Sequence, residues 1–283
     1  MLPAFELPTP LDYFAALVRE DQGFPLLEAT AAVALDEYPE LDIQQLLGQV
    51  DQMLLRLQRR LPADAGPLER LRRLNQFFFG DLAFGGNVNH YYDPDNSYLN
   101  RVLERRRGIP ITLGVLWLEL AQGLGLQARG INFPGHFLVK VSLAQGQVVI
   151  DPFTGQSLGR EDLSERLEPF RRRHGLVDEF EPPVELYLQP APERETLARV
   201  LRNLKDIQSQ AADWPRLLQV LERLVILLPE DWSERRDRGL ALAGLGRIDE
   251  ARADLESYLA QAEDAPDHDL IAQQLAQLRG GRI

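Results

Sequence analysis

Gly108-Ile109-Pro110-Ile111-Thr112-Leu113-Gly114, running on through Val115 to Leu126, decides the fold. Gly108 reads as the residue that closes one helix. Pro110 suits the first position of the next, where its missing N–H costs nothing. Leu113, Leu116, Trp117, Leu120 and Leu124 then form an apolar stripe, and Val115 and Leu118 extend it nearly all round. That pattern predicts a central, buried helix, ended by Gly123 and Gly125. Downstream, Phe137, Val139, Val141 and Leu143 alternate with Leu138, Lys140 and Ser142, which is strand period. Ala144-Gln145-Gly146-Gln147 is a turn, and Val148 to Asp151 is the returning strand. A hairpin of this register sets His136, at the start of one strand, beside Asp151, at the end of its neighbour. An aspartate that accepts from one imidazole nitrogen fixes the ring's tautomer and supports its charged form.

Upstream, residues 11–85 read as all-helical. Ile43, Leu46, Leu47, Val50, Met53, Leu54 and Leu57 form a stripe at helical spacing, broken by Leu61 to Pro67. Residues 85–97 change character, being polar, aromatic and rich in turn formers. Asn89, His90, Tyr91, Tyr92 and Asn96 are candidate pocket-lining residues there, with Thr112 at the head of the central helix. Asn96 or Ser97 can cap the helix that follows. Asp93 and Asp95 resemble the start of a calcium loop, but no glycine and distal glutamate follow at the required spacing. His90 lacks companions for a metal site, and none is expected. Arg105-Arg106-Arg107 reads as compensation of a helix C-terminal dipole ahead of Gly108. Arg171-Arg172-Arg173-His174 falls in a connecting region and reads as a solvated surface.

The chain has 283 residues, a formal charge of −12, and no cysteine. A negative field of that size opposes nucleic-acid binding. No apolar segment approaches a membrane span. Met1 to Glu6 lacks the basic region and apolar run of a signal peptide. A cytoplasmic protein is expected, with no disulfide, no cofactor, no nucleic-acid partner and no membrane.

After Pro190-Ala191-Pro192 the pattern is helical again. Leu197, Val200, Leu201 and Leu204 begin one helix, and Leu217, Leu218, Leu221, Leu224 and Val225 another. Gly239, Leu242, Ala251, Leu255 and Tyr258 then recur at tetratricopeptide-like offsets around a Gly244-Leu245-Gly246-Arg247 turn. Ala265 to Leu278 would cap the stack. The expected fold is α+β, with a helix-rich core carrying a small antiparallel sheet over residues 1–190. All-α tetratricopeptide-like repeats follow over 191–283.

The stretch from Gly108 to Asp151 resembles the transglutaminase-like (papain-like) superfamily, in which a Gly-x-Cys element opens a helix and His and Asp follow on adjacent strands. Leu124-Gly125-Leu126-Gln127-Ala128-Arg129 matches the segment expected after that helix. Counting back from Arg129 puts Pro110 at the cysteine position. Asn96 to Asn100, Arg107 to Leu113, Phe133 to Leu138 and Asp151 to Phe153 resemble the bacterial SirB family, a transglutaminase-like core followed by tetratricopeptide repeats. The resemblance implies His136 and Asp151 as the remnant of a catalytic triad, and no firmly assigned reaction. A thiolate at a helix N-terminus would be the nucleophile, with His136 as base, and Pro110 can replace neither its side chain nor its N–H. The resulting expectation is a non-catalytic protein that holds a protein or peptide partner through its repeats. The alternative is a hydrolase or acyltransferase that uses His136–Asp151 with a non-thiol nucleophile, Thr112 or Ser97, or with activated water.

Overall fold

Ile109 is extended (φ −93°, ψ 166°) and Pro110 follows as the first helical residue, so the chain enters its central helix without losing a backbone hydrogen bond. The computed structural model describes residues 8–21, 23–176 and 182–280. The readings of Met1 to Glu6 and of part of the charged connection after Arg173 lie outside them. In chain order the helices are α1 (Pro10–Leu17), α2 (Leu26–Ala32), α3 (Ile43–Gln58), α4 (Pro67–Asn75), α5 (Leu99–Arg105), α6 (Pro110–Gly123) and α7 (Arg160–Arg173). They continue with α8 (Glu193–Gln210), α9 (Trp214–Leu227), α10 (Trp232–Gly244), α11 (Ile248–Gln261) and α12 (His268–Arg279). The strands are β1 (Gly85–Gly86), β2 (Arg107–Gly108), β3 (Gln127–Ile131), β4 (Leu138–Leu143), β5 (Gly146–Ile150) and β6 (Ser157–Leu158).

The contacts divide the chain into two units, Gln22–Val200 and Met1–Asp21 with Leu201–Ile283. This division differs from a single cut at residue 190, because α1 packs on α9. Phe14 of α1 is fully buried, with the Arg223 guanidinium over its ring. A short helix with one such anchor gains its stability from the surface it covers, since isolated helices of this length are marginal.

Within the 22–200 unit, α6 is buried from Pro110 to Ala121 except at Glu119. Helices α2 to α5 and strands β3 and β4 pack around it. The four-stranded sheet runs β3-β4-β5-β6, each pair antiparallel. The hairpin pairs Val139↔Ile150 and Leu143↔Gly146, so the chain turns over Ala144 and Gln145 alone and the returning strand begins at Gly146, two residues earlier than the expected four-residue turn allows. A second core lies over the sheet, where Phe133, Leu138 and Val149 meet Leu163 and Leu167 of α7. The helical block of the other unit packs α10 against α9 and α11, and α11 against α12. Leu255 and Tyr258 meet Ile271 and Leu275 there.

Three local readings change. The left-handed residue that ends α5 is Arg106 (φ 57°), not a residue at Gly108. Arg107 and Gly108 instead pair in parallel with Gly85 and Gly86. Neither Asn96 nor Ser97 caps α5, whose N-cap position is Tyr98. Arg171 to Arg173 form the last turn of α7 rather than a connection, where cations complement the helix dipole. Arg171 itself is buried, donating to Ser164 and to the Pro182 carbonyl.

Candidate functional site

Two phenylalanines, each next to or near one member of the His–Asp pair, set its position. Phe137 follows His136 and is buried between α6 and β3. A Cβ placed on Gly114 or on Gly130 would stand 2.5 Å from its ring, so both walls of this seat require glycine. Phe153, two residues after Asp151, lies over Gly86, where a Cβ would stand 2.3 Å from its ring. The Gly86 N–H also donates to the Phe153 carbonyl. The β1–β2 pairing therefore ties the loop after Asp151 to the chain entering α6.

His136 Nε2 lies 2.9 Å from Asp151 Oδ1. Asp151 Oδ1 also accepts from the Phe153 N–H at 2.9 Å, and Oδ2 receives Arg166 Nη1 of α7 at 3.0 Å. The carboxylate is 1% exposed, while the His136 side chain keeps 22% of its surface. Burial pushes the Asp151 carboxyl up. The hydrogen bond and charge of His136, the Phe153 N–H and Arg166 outweigh it and hold the carboxyl below the usual value. With Nε2 committed, Nδ1 is the imidazole nitrogen left for other chemistry.

A cavity of about 370 Å³ opens beside His136, lined by Pro134 to His136 and by Arg166, Pro169, Phe170 and Arg173 of α7. None of the six candidate lining residues borders it. Asn96 and Thr112 are buried and spend their polar groups internally. Asn96 Nδ2 donates to the His90 and Tyr91 carbonyls and its Oδ1 accepts from Asn87, so Asn96 shapes the loop rather than facing a ligand. Thr112 Oγ1 donates to the Asn96 carbonyl at 2.7 Å and approaches the Ile109 carbonyl at 3.2 Å. That engagement removes it as a nucleophile for His136. Ser97 is fully buried and its hydroxyl has no hydrogen-bond partner, so it makes no bond to His136 either. Asn89, His90 and Tyr92 are exposed.

Tyr91 approaches the pair by way of Phe153. Its ring is 5.9 Å from that of Phe153, which is 6.5 Å from the His136 ring. Burial raises its hydroxyl pKa; the Asp151 charge raises it further, and Arg199 of α8 opposes both. Arg199 Nη1 donates to the Phe133 carbonyl at 3.3 Å. Sequence reasoning missed Arg166, which reaches Asp151 from α7, and Arg199, which reaches the Phe133 carbonyl from α8. The seven-residue spacing of Arg166 and Arg173 on α7 was the available signal for one shared face.

Among the described residues no group of histidines and carboxylates is arranged to hold a metal ion. Asp93 and Asp95 are engaged by Arg101, Arg105 and Tyr38. No helix among the described residues is long and apolar enough to cross a membrane.

A family model of the transglutaminase-like superfamily matches residues 44–202, and one of the tetratricopeptide repeat matches residues 204–276. A UPF0162 protein of Xylella fastidiosa is 37% identical over 276 residues, covering 93% of each chain. A UPF0162 protein of Pseudomonas aeruginosa is 29% identical over 89% of this chain and 90% of its own. Protein SirB1 of Salmonella typhimurium is 28% identical over 73% of this chain and 75% of its own. The chain belongs to the transglutaminase-like superfamily, in the SirB family with the UPF0162 proteins, and carries tetratricopeptide repeats after that domain.

Proposed function

We propose that this protein is a regulatory or protein-binding scaffold, whose transglutaminase-like domain is a pseudoenzyme and whose repeats hold a protein or peptide partner in the cytoplasm. The observation that carries the reading is at the head of α6. Counting back from Arg129, the family's thiol position would fall on Pro110, which is buried and has neither a nucleophilic atom nor an N–H. No cysteine exists elsewhere in the chain to replace it. The hydroxyl of Thr112 is committed to backbone carbonyls. The repeats supply an interaction surface of a kind that stacked helical pairs present generally. Leu270 of α12 is 56% exposed on that unit, and an exposed large apolar side chain is a usual contact point.

The test is in-cell crosslinking and capture on the full chain. A defined partner is expected with wild type and with His136→Ala, and its yield should fall with Leu270→Asp. Loss of the partner with His136→Ala, or no partner with wild type, overturns the scaffold reading.

A second reading keeps the pair active. His136, oriented by a buried carboxylate and holding a free Nδ1, has the arrangement of a general base for water. Under it the protein is a hydrolase or acyltransferase, and turnover of an ester or amide by wild type would vanish in His136→Ala.

A further inference from the structure

We propose that the cavity beside His136 is a binding site for a small organic carboxylate with an apolar body. The proposal goes beyond the scaffold reading and does not depend on what the repeats hold. It rests on the chemistry of the cavity wall. Arg166, Arg173 and His136 all border it, and no carboxylate does among the described residues. Asp151 lies behind them, 1% exposed and covered by His136 and Arg166.

Both arginines have donors to spare, and His136 keeps a free ring nitrogen. Arg166 places Nη1 on Asp151, which leaves most of the five N–H donors of a guanidinium unused. The Arg173 side chain makes no ion pair or hydrogen bond among the described residues, and it sits in the last turn of α7. Its neighbour Arg172 is paired with Glu168, so that carboxylate is already engaged. His136 has Nδ1 free. In a chain of net charge −12, two arginines converging on one concavity is a local reversal of the overall field.

The geometry favours a carboxylate over a phosphate. Planar guanidinium forks match a carboxylate edge in a two-bond pairing. A dianionic phosphate is favoured at helix N-termini, where N–H groups and the positive dipole end point at it. This cavity faces the C-terminal half of α7 instead, where the dipole is negative and supports a cation more than it tolerates a dianion. The remaining wall is apolar, formed by Pro134, Pro169 and Phe170, and would cover a hydrocarbon or aromatic body beside the charged end. The cavity volume of about 370 Å³ admits a ligand of roughly ten heavy atoms, within the usual size range of small-ligand sites.

The experiment titrates full-length protein with 3-phenylpropionate, following the His136 ring resonance by NMR, with 3-phenylpropionamide and inorganic phosphate as comparison probes. Saturable binding of the carboxylate is expected, with a Kd near or below about 1 mM. The affinity should fall about tenfold in Arg173→Gln, a surface change that leaves Asp151 and its partners in place, and should weaken with added salt. The uncharged amide should produce no saturable shift. Equal binding of acid and amide, unchanged affinity in Arg173→Gln, or no saturable shift at all would overturn the proposal. Tighter binding of phosphate than of the carboxylate would overturn the ligand class.

Discussion

Two buried carboxylates, one in each unit, are held in different ways. Glu234 of α10 is 2% exposed and meets Arg202 Nε at 2.8 Å and Lys205 Nζ at 2.6 Å, both on α8. Those cations are themselves shared with Asp231 and Asp237. Burial pulls the Lys205 amine down, but its bonds to Asp237 and Glu234 outweigh this and raise it. The network closes on itself with strongly basic cations. Asp151 is 1% exposed, and its partners are an imidazole, one arginine and a backbone N–H. Its network opens onto a cavity through a ring with a free nitrogen. A closed ion network locks helices together, whereas an open one keeps a chemical handle at a surface. The difference separates a structural carboxylate from one placed to orient another group.

Removing each carboxylate is the strongest way to break the contrast. Asp151→Ala strands the Phe153 N–H and leaves Arg166 and His136 without their partner, a loss of about 3 kcal/mol by analogy with broken buried pairs. Glu234→Ala leaves Lys205 with Asp237 and Arg202 with Asp231, so a smaller loss is expected. Urea unfolding of both variants measures this, and equal losses or the reverse order would remove the distinction.

Gly114→Ala comes next. It should displace the Phe137 ring and cost about 1–3 kcal/mol by overpacking, with the His136 resonance moving in NMR. A folded variant with an unmoved His136 signal would show that the seat of Phe137 does not fix the pair. Thr112→Val strips the hydroxyl from a buried bond to the Asn96 carbonyl and should cost about 1 kcal/mol in thermal unfolding. A neutral result would mean that this carbonyl finds another donor.

The finest test is the acid limb of stability. Asp151 is held below its ordinary value, so its stabilising contribution is full above the unfolded carboxylate's pKa of about 3.9. The contribution fades as pH falls through the lower folded value. Asp151→Asn, which cannot ionise, should flatten that limb of a stability–pH curve relative to wild type. An unchanged slope would sink this account of the Asp151 environment.

The hairpin that pairs His136 with Asp151 was legible because its signals are local. Strand alternation and the turn formers after Leu143 mark a hairpin, although the turn itself is only Ala144 and Gln145. The buried character of α6 was legible for the same reason, as was the recurrence of Gly239, Ala251 and Tyr258. The Asn89 to Asn96 pocket reading rested on composition alone. Polar loop residues look alike in sequence whether they face a ligand or, like Asn96, satisfy their own backbone. Arg106 in the left-handed region could not be foreseen next to a glycine that is the commoner choice.

The sequence by itself determined the buried helix behind Pro110, the facing His136 and Asp151, the lack of a thiol, and the repeats. Those follow from periodicities and residue types spanning a few turns or one hairpin. The tertiary structure decided that Arg166 shares Asp151 with His136 and that Arg173 borders the same cavity. It also seated Phe137 and Phe153 against glycines and grouped α1 with the repeats. These are contacts between segments tens of residues apart, set by which apolar faces pack together, and no local pattern encodes that choice.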